Sequence, residues 1–397
     1  MTTRRLCLHR TLLAVLLVAV GLRPAAAQQN DVATQRMSHL RRGINTSMWF
    51  AQSPGNYSAE RLRSFTTADD LALIRSLGFD HIRLSIDADP LALWQSGRPS
   101  GKDFVAELDR VIGTATAGGL AVIVDIHPES RYKQGLLQGT DGVLHFASLW
   151  RVLAEHYRET DPGLVFFEIM NEPEQPDTFR WQGIQTTVAA EIRAAAPRHT
   201  ILAAGAHWSG IDDLLQLQSI GIDNVIYTFH NYEPFAFTHQ GATWTMSEVQ
   251  PLRGVPYPST PDNVQPLLAQ EPTQASRYWL EQYGLARWDA ARIDRIISFA
   301  AQWSKLHNAP VYCGEFGVHR PYAPPADRAR WLHDTRLALE KYNIGWAMWD
   351  YQTNFGVVSK QDGKTTPDEG VVEALGLKPV PATNPVRPTN PVRATNP

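Results

Sequence analysis

Eight short runs of apolar and β-branched residues punctuate this chain, and segments with helical spacing separate nearly every pair of them. The runs begin at Gly43-Ile44-Asn45, His81-Ile82-Arg83-Leu84, Leu120-Ala121-Val122-Ile123-Val124, Val165-Phe166-Phe167-Glu168-Ile169, Ile201-Leu202-Ala203-Ala204, Val225-Ile226-Tyr227-Thr228-Phe229, Pro310-Val311-Tyr312-Cys313 and Ile344-Gly345-Trp346-Ala347-Met348. Near-continuous apolar strands are those covered on both faces, and strand-helix alternation builds a parallel sheet. Apolar residues three and four apart mark helices over Asp103 to Ala117, Phe146 to Tyr157, Phe179 to Ala196, Asp289 to Leu306 and Asp327 to Tyr342. The expected fold is therefore α/β, a closed (β/α)8 TIM barrel, which would occupy most of the 397 residues. A doubly wound open sheet is the alternative, and the want of a G-x-G-x-x-G loop after any strand weighs against it.

The ends of the chain read differently from its body. Arg4, Arg5 and Arg10, the apolar stretch Thr11 to Leu22 and Ala25-Ala26-Ala27 have the order of an export signal, so residues 1–27 are expected to be removed and the mature chain to begin near Gln28. That stretch is shorter than the roughly 20 residues that span a bilayer, and no membrane insertion is expected. Cleavage takes away four arginines and no acid, which moves the formal net charge from −3 to −7 and argues against a nucleic-acid partner. It also removes Cys7, leaving Cys313 without a disulfide partner. Residues 28–378 form one catalytic unit, and the Thr-Asn-Pro-Val-Arg repeat of residues 379–397 reads as a disordered tail. The longest connection, Asn231 to about Ala309, opens with a Pro-rich stretch carrying Trp244 and suggests a wall over the barrel mouth. A monomer is the default.

Barrel active sites stand at the C-terminal ends of the strands. Those ends carry Arg83 on strand two, Asp125 and His127 on strand three, Asn171-Glu172-Pro173 on strand four, His230 and Tyr232 on strand six, Glu315 on strand seven, and Trp349-Asp350 on strand eight. Two glutamates on different strands, with Arg, His and Tyr beside them, can have their carboxyl pKa values pushed apart, as acid/base glycoside chemistry requires.

Val165 to Pro173 resembles the strand-four signature of glycoside hydrolase family 5, cellulase family A. Leu77 to Leu84, Asp125-Ile126-His127, Thr228 to Tyr232, Gly314-Glu315-Phe316-Gly317 and Trp346 to Trp349 are similar to the family's other strand-end motifs, in order, over nearly the whole mature domain. Pro234 to Ala242, with its Phe-Thr-His-Gln-Gly, is similar to bacterial endoglucanase-like members. Glu174 departs from the family, which more often has a neutral or other residue there. The resemblance implies Glu172 as acid/base and Glu315 as nucleophile of a retaining double displacement, needing no cofactor and no metal. It further implies that Arg83 and Tyr232 lower the pKa of Glu315, that Glu315 raises that of Glu172, that Asn171 binds the sugar 2-hydroxyl, that His127 and His230 hold other hydroxyls or orient Glu172, and that Trp349 floors the sugar site. The implied activity is endo-β-1,4-glucan hydrolysis, with a β-glucan polysaccharide or oligosaccharide as partner.

Plainer readings stand beside these. Asn-Glu-Pro alone is also an ordinary strand-to-loop turn, so the weight falls on six motifs in order. Arg83 could be a structural ion pair, and His127 and His230 could cap loops. His207 and Trp208 could contact sugar or pack, as could Trp49 and Trp244, while Trp150, Trp303 and Trp331 lie in helical spacing and are expected to pack on the barrel. About half of the 12 tryptophans should simply fill core. Cys313 reads as buried and inert. Asp125, His127 and His230 could be combined into a metal site on paper, but no H-E-x-x-H or close Cys/His spacing supports one. A β-mannanase, an exo-β-1,3-glucanase and a non-catalytic carbohydrate-binding protein are the alternatives kept open.

Overall fold

A computed structural model describes residues 31–53, 55–137 and 139–377. The expected leader (1–27) and tail (379–397) fall outside the described residues. Eight strands close into one parallel barrel in sequential order: β1 Arg42–Asn45, β2 His81–Ile86, β3 Ala121–Ile126, β4 Val165–Glu168, β5 Thr200–Ala204, β6 Val225–Asn231, β7 Val311–Phe316 and β8 Gly345–Met348. Each contains or overlaps its expected run. The helices α1 Ala68–Ser76, α2 Pro99–Ala117, α3 Thr140–Tyr157, α4 Thr178–Ala195, α5 Ile211–Leu215, α6 Ala290–His307, α7 Pro325–Lys341 and α8 Glu369–Ala374 follow the strands in turn. Their starts are written locally. Thr67 and Asp70 form a reciprocal capping box at α1, Asp177 and Asp289 accept backbone N–H groups at α4 and α6, and Pro325 opens α7.

Strand alternation decides what fills the barrel and what covers it. Ile82, Leu84 and Ile86 of β2, Val122, Val124 and Ile126 of β3, and Val165 and Phe167 of β4 join the large outer core beneath the helices. The intervening residues Ala121, Ile123, Phe166, Leu202, Ile226, Tyr312 and Ala347 form a separate apolar plug inside the barrel. Where β1 passes β2 the interior is tight: a Cβ on Gly43 would lie 2.1 Å from the His81 ring, whose Nε2 meets the Tyr312 hydroxyl at 2.6 Å. Continuing upward on the same inward parity come Arg83, Asp125 and Glu168, so the change from apolar plug to charged cluster occurs within one strand length.

Seven of the twelve tryptophans are buried. Among them Trp150 on α3 donates its indole N–H to the Ile169 carbonyl at 2.8 Å, and Trp181 on α4 donates to Ala204 at 2.8 Å. The helices are thereby tied to the ends of β4 and β5, the places from which functional loops depart. Trp303 and Trp331 are also core, as expected. Trp49 is core too, the packing alternative of its two readings: its ring lies against Phe50 and its N–H is satisfied by the Leu62 carbonyl at 2.7 Å.

The long connection after β6 does stand at the mouth. Within it His239 stacks on Phe235 at 3.9 Å between centroids and meets Tyr232 edge-on at 4.9 Å, while the Thr238 hydroxyl donates to the Tyr232 carbonyl at 2.6 Å. The Phe-Thr-His-Gln segment thus braces Tyr232. A hairpin after β8, β9 Val358–Gln361 with β10 Lys364–Pro367, was not expected; Asp362 and Gly363 turn it, both at positive φ. Among the described residues no helix is long and apolar enough to cross a membrane.

Candidate active site

Arg83 is the hub of the cleft. Fully buried on β2, it gives Nε and one terminal nitrogen to the two oxygens of Glu168, each at 2.8 Å. Its other terminal nitrogen reaches Glu315 at 2.7 Å and Asn45 at 3.0 Å, and the first also meets Asn171 at 2.9 Å and Asp125 at 3.1 Å. One guanidinium therefore faces three carboxylates, whose charge keeps it protonated against the cost of burial. Burial raises Glu168, and it raises Asp125 to about 6, with Arg83 opposing in both cases.

Simple alternation would turn Glu315 away from the cleft, because Tyr312 points inward and Cys313 outward. A register shift corrects this: Phe229 pairs with Cys313 but His230 pairs with Glu315, so Gly314 is an extra residue on β7. Glycine is required there, since a Cβ would lie 2.7 Å from the Thr228 hydroxyl. The bulge swings Glu315 inward onto Arg83, and the Tyr232 hydroxyl donates to its other oxygen at 2.8 Å. Cys313 stays outward, buried, its thiol pKa pushed up by desolvation.

Glu172 lies beyond the end of β4 at a left-handed φ of 41°, a conformation that side-chain-bearing residues adopt at a cost and that recurs at functional sites. Its carboxyl meets His230 Nδ1 at 3.0 Å. One oxygen from each glutamate and a His230 ring nitrogen all lie within 4.8 Å of one another. On distance alone this trio could clamp a cation, and one of its carboxylates, Glu315, already pairs with Arg83 at 2.7 Å. The Asp125, His127 and His230 combination weighed from the sequence is not the cluster that forms.

A polarised chain of hydrogen bonds fixes the floor. His127 is neutral because burial lowers its pKa well below the usual value. Its Nδ1–H donates to Asp125 at 3.0 Å, so its Nε2 accepts from the Asn171 amide at 3.0 Å, and the Asn171 carbonyl accepts from Arg83. One Asn171 N–H remains for a ligand. Trp349 stacks on His127 at 5.6 Å and 22° with its ring partly open.

Both glutamates have raised pKa values, and burial is the main cause in each. For Glu315, Arg83 and the Tyr232 hydroxyl pull in the expected direction, but desolvation outweighs them. For Glu172 burial is the main cause, the charge that adds to the rise is Glu174 and not the expected Glu315, and Lys133 is the cation that most opposes it. Burial also lowers His230 to about 4, leaving it neutral.

The remaining sequence candidates are partly gathered. His207 and Trp208 lie past the end of β5; His207 Nδ1 pairs with Asp213 at 2.9 Å, and Trp208 is 62% exposed. The His207 carbonyl accepts from Glu174 N at 2.7 Å, which places this turn beside the Glu172 loop. Trp244 is 59% exposed on the mouth wall, edge-on to His319. Sequence reasoning gave no role to Glu168 or Asn45, although a lone carboxylate on an apolar strand is itself a signal of buried pairing.

Residues 30–355 match the model of the Cellulase family, glycosyl hydrolase family 5. The chain belongs to glycosyl hydrolase family 5. Within the curated members, Endoglucanase C of Acetivibrio thermocellus is 28% identical over 339 residues, covering 84% of this chain and 97% of that one. Cellodextrinase A of Ruminococcus flavefaciens is 27% identical, covering 76% and 83%. In structure the family's Thermotoga maritima endoglucanase Cel5A, solved in complex with cellobiose, superposes with a TM-score of 0.68 at 27% identity, covering 87% of this chain and all of that one. The same enzyme has also been solved with a mannotriose substrate.

Proposed function

We propose that this family 5 member, an endoglucanase-like glycoside hydrolase, cleaves β-1,4-linked glucan internally with retention of anomeric configuration. The observation that carries the reading is the convergence of Glu172 and Glu315, with carboxylate oxygens within 4.8 Å of each other. Retaining enzymes hold their carboxyls about 5–5.5 Å apart, whereas inverting ones leave about 6.5–9.5 Å for a water. Glu315, held between Arg83 and the Tyr232 hydroxyl, attacks the anomeric carbon. Glu172, whose pKa burial raises, gives its proton to the leaving oxygen. Water then enters, Glu172 takes its proton, and the glycosyl-enzyme is hydrolysed. Asn171 meets the 2-hydroxyl, where a hydrogen bond strengthens as the ring becomes oxocarbenium-like. Neutral His230 orients Glu172, and Trp349 underlies the sugar.

The glucan assignment draws on relatives named endoglucanase and cellodextrinase. We further propose that residues 1–27 direct export, that residues 28–378 are the catalytic unit, and that the enzyme acts as a monomer. Product analysis tests the activity: purified protein on carboxymethylcellulose, barley β-glucan, laminarin and mannan, with Glu315→Gln as control. Mixed short oligomers from the β-1,4-glucans, lost in the variant, are expected. Preferential release from mannan or laminarin would replace the substrate, and binding without products from any of the four would overturn the enzymatic reading.

A further inference from the structure

Lys133 has no part in the double displacement as described, yet it is buried beside it. It stands on the helix Ser130–Leu137 that follows β3, with its side chain 5% exposed and its ammonium 3.1 Å from Glu174 Oε1. Ser130 Oγ donates to the same oxygen at 2.8 Å. Glu174, two residues past Glu172, is itself held at a left-handed φ of 56°, and its backbone N–H donates to the His207 carbonyl at 2.7 Å. This one residue therefore joins the segments after β3, β4 and β5 around the loop that carries Glu172. It is also the position at which the chain departs from the family pattern.

The charges around Glu172 are distributed unevenly. Facing it are Asp125 from β3 and His127 just after it, Arg83 from β2, His230 from β6, Tyr232 after β6, Glu315 from β7, Lys133 from the helix Ser130–Leu137 and Glu174 from the loop after β4. Arg83 is committed to Glu168, Glu315 and Asp125, and both histidines are neutral. Lys133 is the cation acting most strongly on Glu172, and Glu174 acts in the opposite sense. A buried ammonium without its counter-charge would favour ionised Glu172 and remove the proton that the leaving oxygen needs. A counter-charge without the ammonium would hold Glu172 protonated when it must accept the water proton.

We propose that Lys133 and Glu174 are a positioning pair that sets the proton affinity of Glu172 and fixes its loop. The inference rests on Glu172 being the acid/base. As the C–O bond breaks and Glu315 bonds the anomeric carbon, the proton moves from Glu172 to the leaving oxygen, and the nearby ammonium stabilises the carboxylate left behind. Deglycosylation returns a proton to Glu172 from water.

The test is the pH dependence of kcat/KM on a cello-oligosaccharide for the native enzyme, Glu174→Gln, Lys133→Met, the double variant and Lys133→Arg. The alkaline limb reports Glu172 in the free enzyme. Glu174→Gln is expected to move it to lower pH and Lys133→Met to higher pH, each changing kcat/KM by about threefold or more at a fixed pH on that limb. The double variant should return towards the native profile, and Lys133→Arg should keep it. Movement of both single variants in one direction, or a uniform loss at every pH, would overturn the pairing. Should Lys133→Met fail to fold, the direction of the Glu174→Gln shift decides alone. Glu172→Gln separates the two claims: if it retains the native rate and alkaline limb, the acid/base assignment fails, whereas its inactivity with unmoved limbs in the pair variants sinks only the inference.

Discussion

Replacing Arg83 by methionine removes the one cation that serves three buried carboxylates while nearly conserving volume. Asp125 and Glu168 have no solvent to turn to, and Glu315 keeps only Tyr232 as a hydrogen-bond donor. Removing one partner of a buried ion pair costs about 3–5 kcal/mol. A folded unit of roughly 350 residues unfolds with about 0.7 kcal/mol/K of entropy, so the melting temperature at pH 7 should fall by about 4–7 °C. The loss has a sign in pH. Burial raises Asp125, Glu168 and Glu315 above their unfolded values, and losing Arg83 raises them further. The native state then holds protons that the unfolded chain has released, so stability falls as pH rises from the unfolded carboxyl range near 4 through the native values. Calorimetric melts of Arg83→Met and the native protein between pH 5 and pH 8 should therefore converge on the acid side. Arg83→Lys, with a charge but no planar fork, should recover part of the deficit. A melting point within about 1 °C of native, or a deficit equal at pH 5 and pH 8, would refute the hub argument.

Other consequences are more local. Trp244→Ala and Trp208→Ala remove exposed rings, so kcat/KM on long cello-oligosaccharides should fall about three- to tenfold with little change in melting temperature, as expected for stacking contacts of about 0.5–1.5 kcal/mol. Trp49→Ala should instead cost about 3–5 kcal/mol of stability, which chemical denaturation would measure; the opposite pattern would exchange their roles. Dialysis against a chelator should leave hydrolysis unchanged, and activity lost to it and restored by a divalent ion would show a metal requirement.

The barrel was legible because each strand is a run of apolar residues buried on both faces, a pattern that survives without knowing which strands pair. Arg83, Asn171, His230, Tyr232 and Trp349 were legible because barrel geometry places polar residues at strand ends around one cleft. Two kinds of information were not local enough to read. The inward turn of Glu315 depends on a bulge at Gly314, which alternation along β7 alone would deny, though a glycine inside a strand hints at one. The state of the glutamates depends on burial, and charge counting by itself credited Arg83 with more than it achieves at Glu315. Trp49 stayed open between sugar contact and packing for the same reason: position after a strand does not reveal that the Leu62 carbonyl satisfies its N–H. Glu174 looked like a local anomaly until the fold supplied Lys133.

As the proposed nucleophile, Glu315 should form a covalent glycosyl-enzyme. This is tested most directly by incubating the protein with an activated 2-deoxy-2-fluoro cellobioside, which slows breakdown of that intermediate, followed by peptide mass mapping. One added disaccharide per chain is expected, carried on the peptide containing Glu315 and absent from Glu315→Gln. A label on Glu172, or hydrolysis with inverted product and no adduct, would contradict that role.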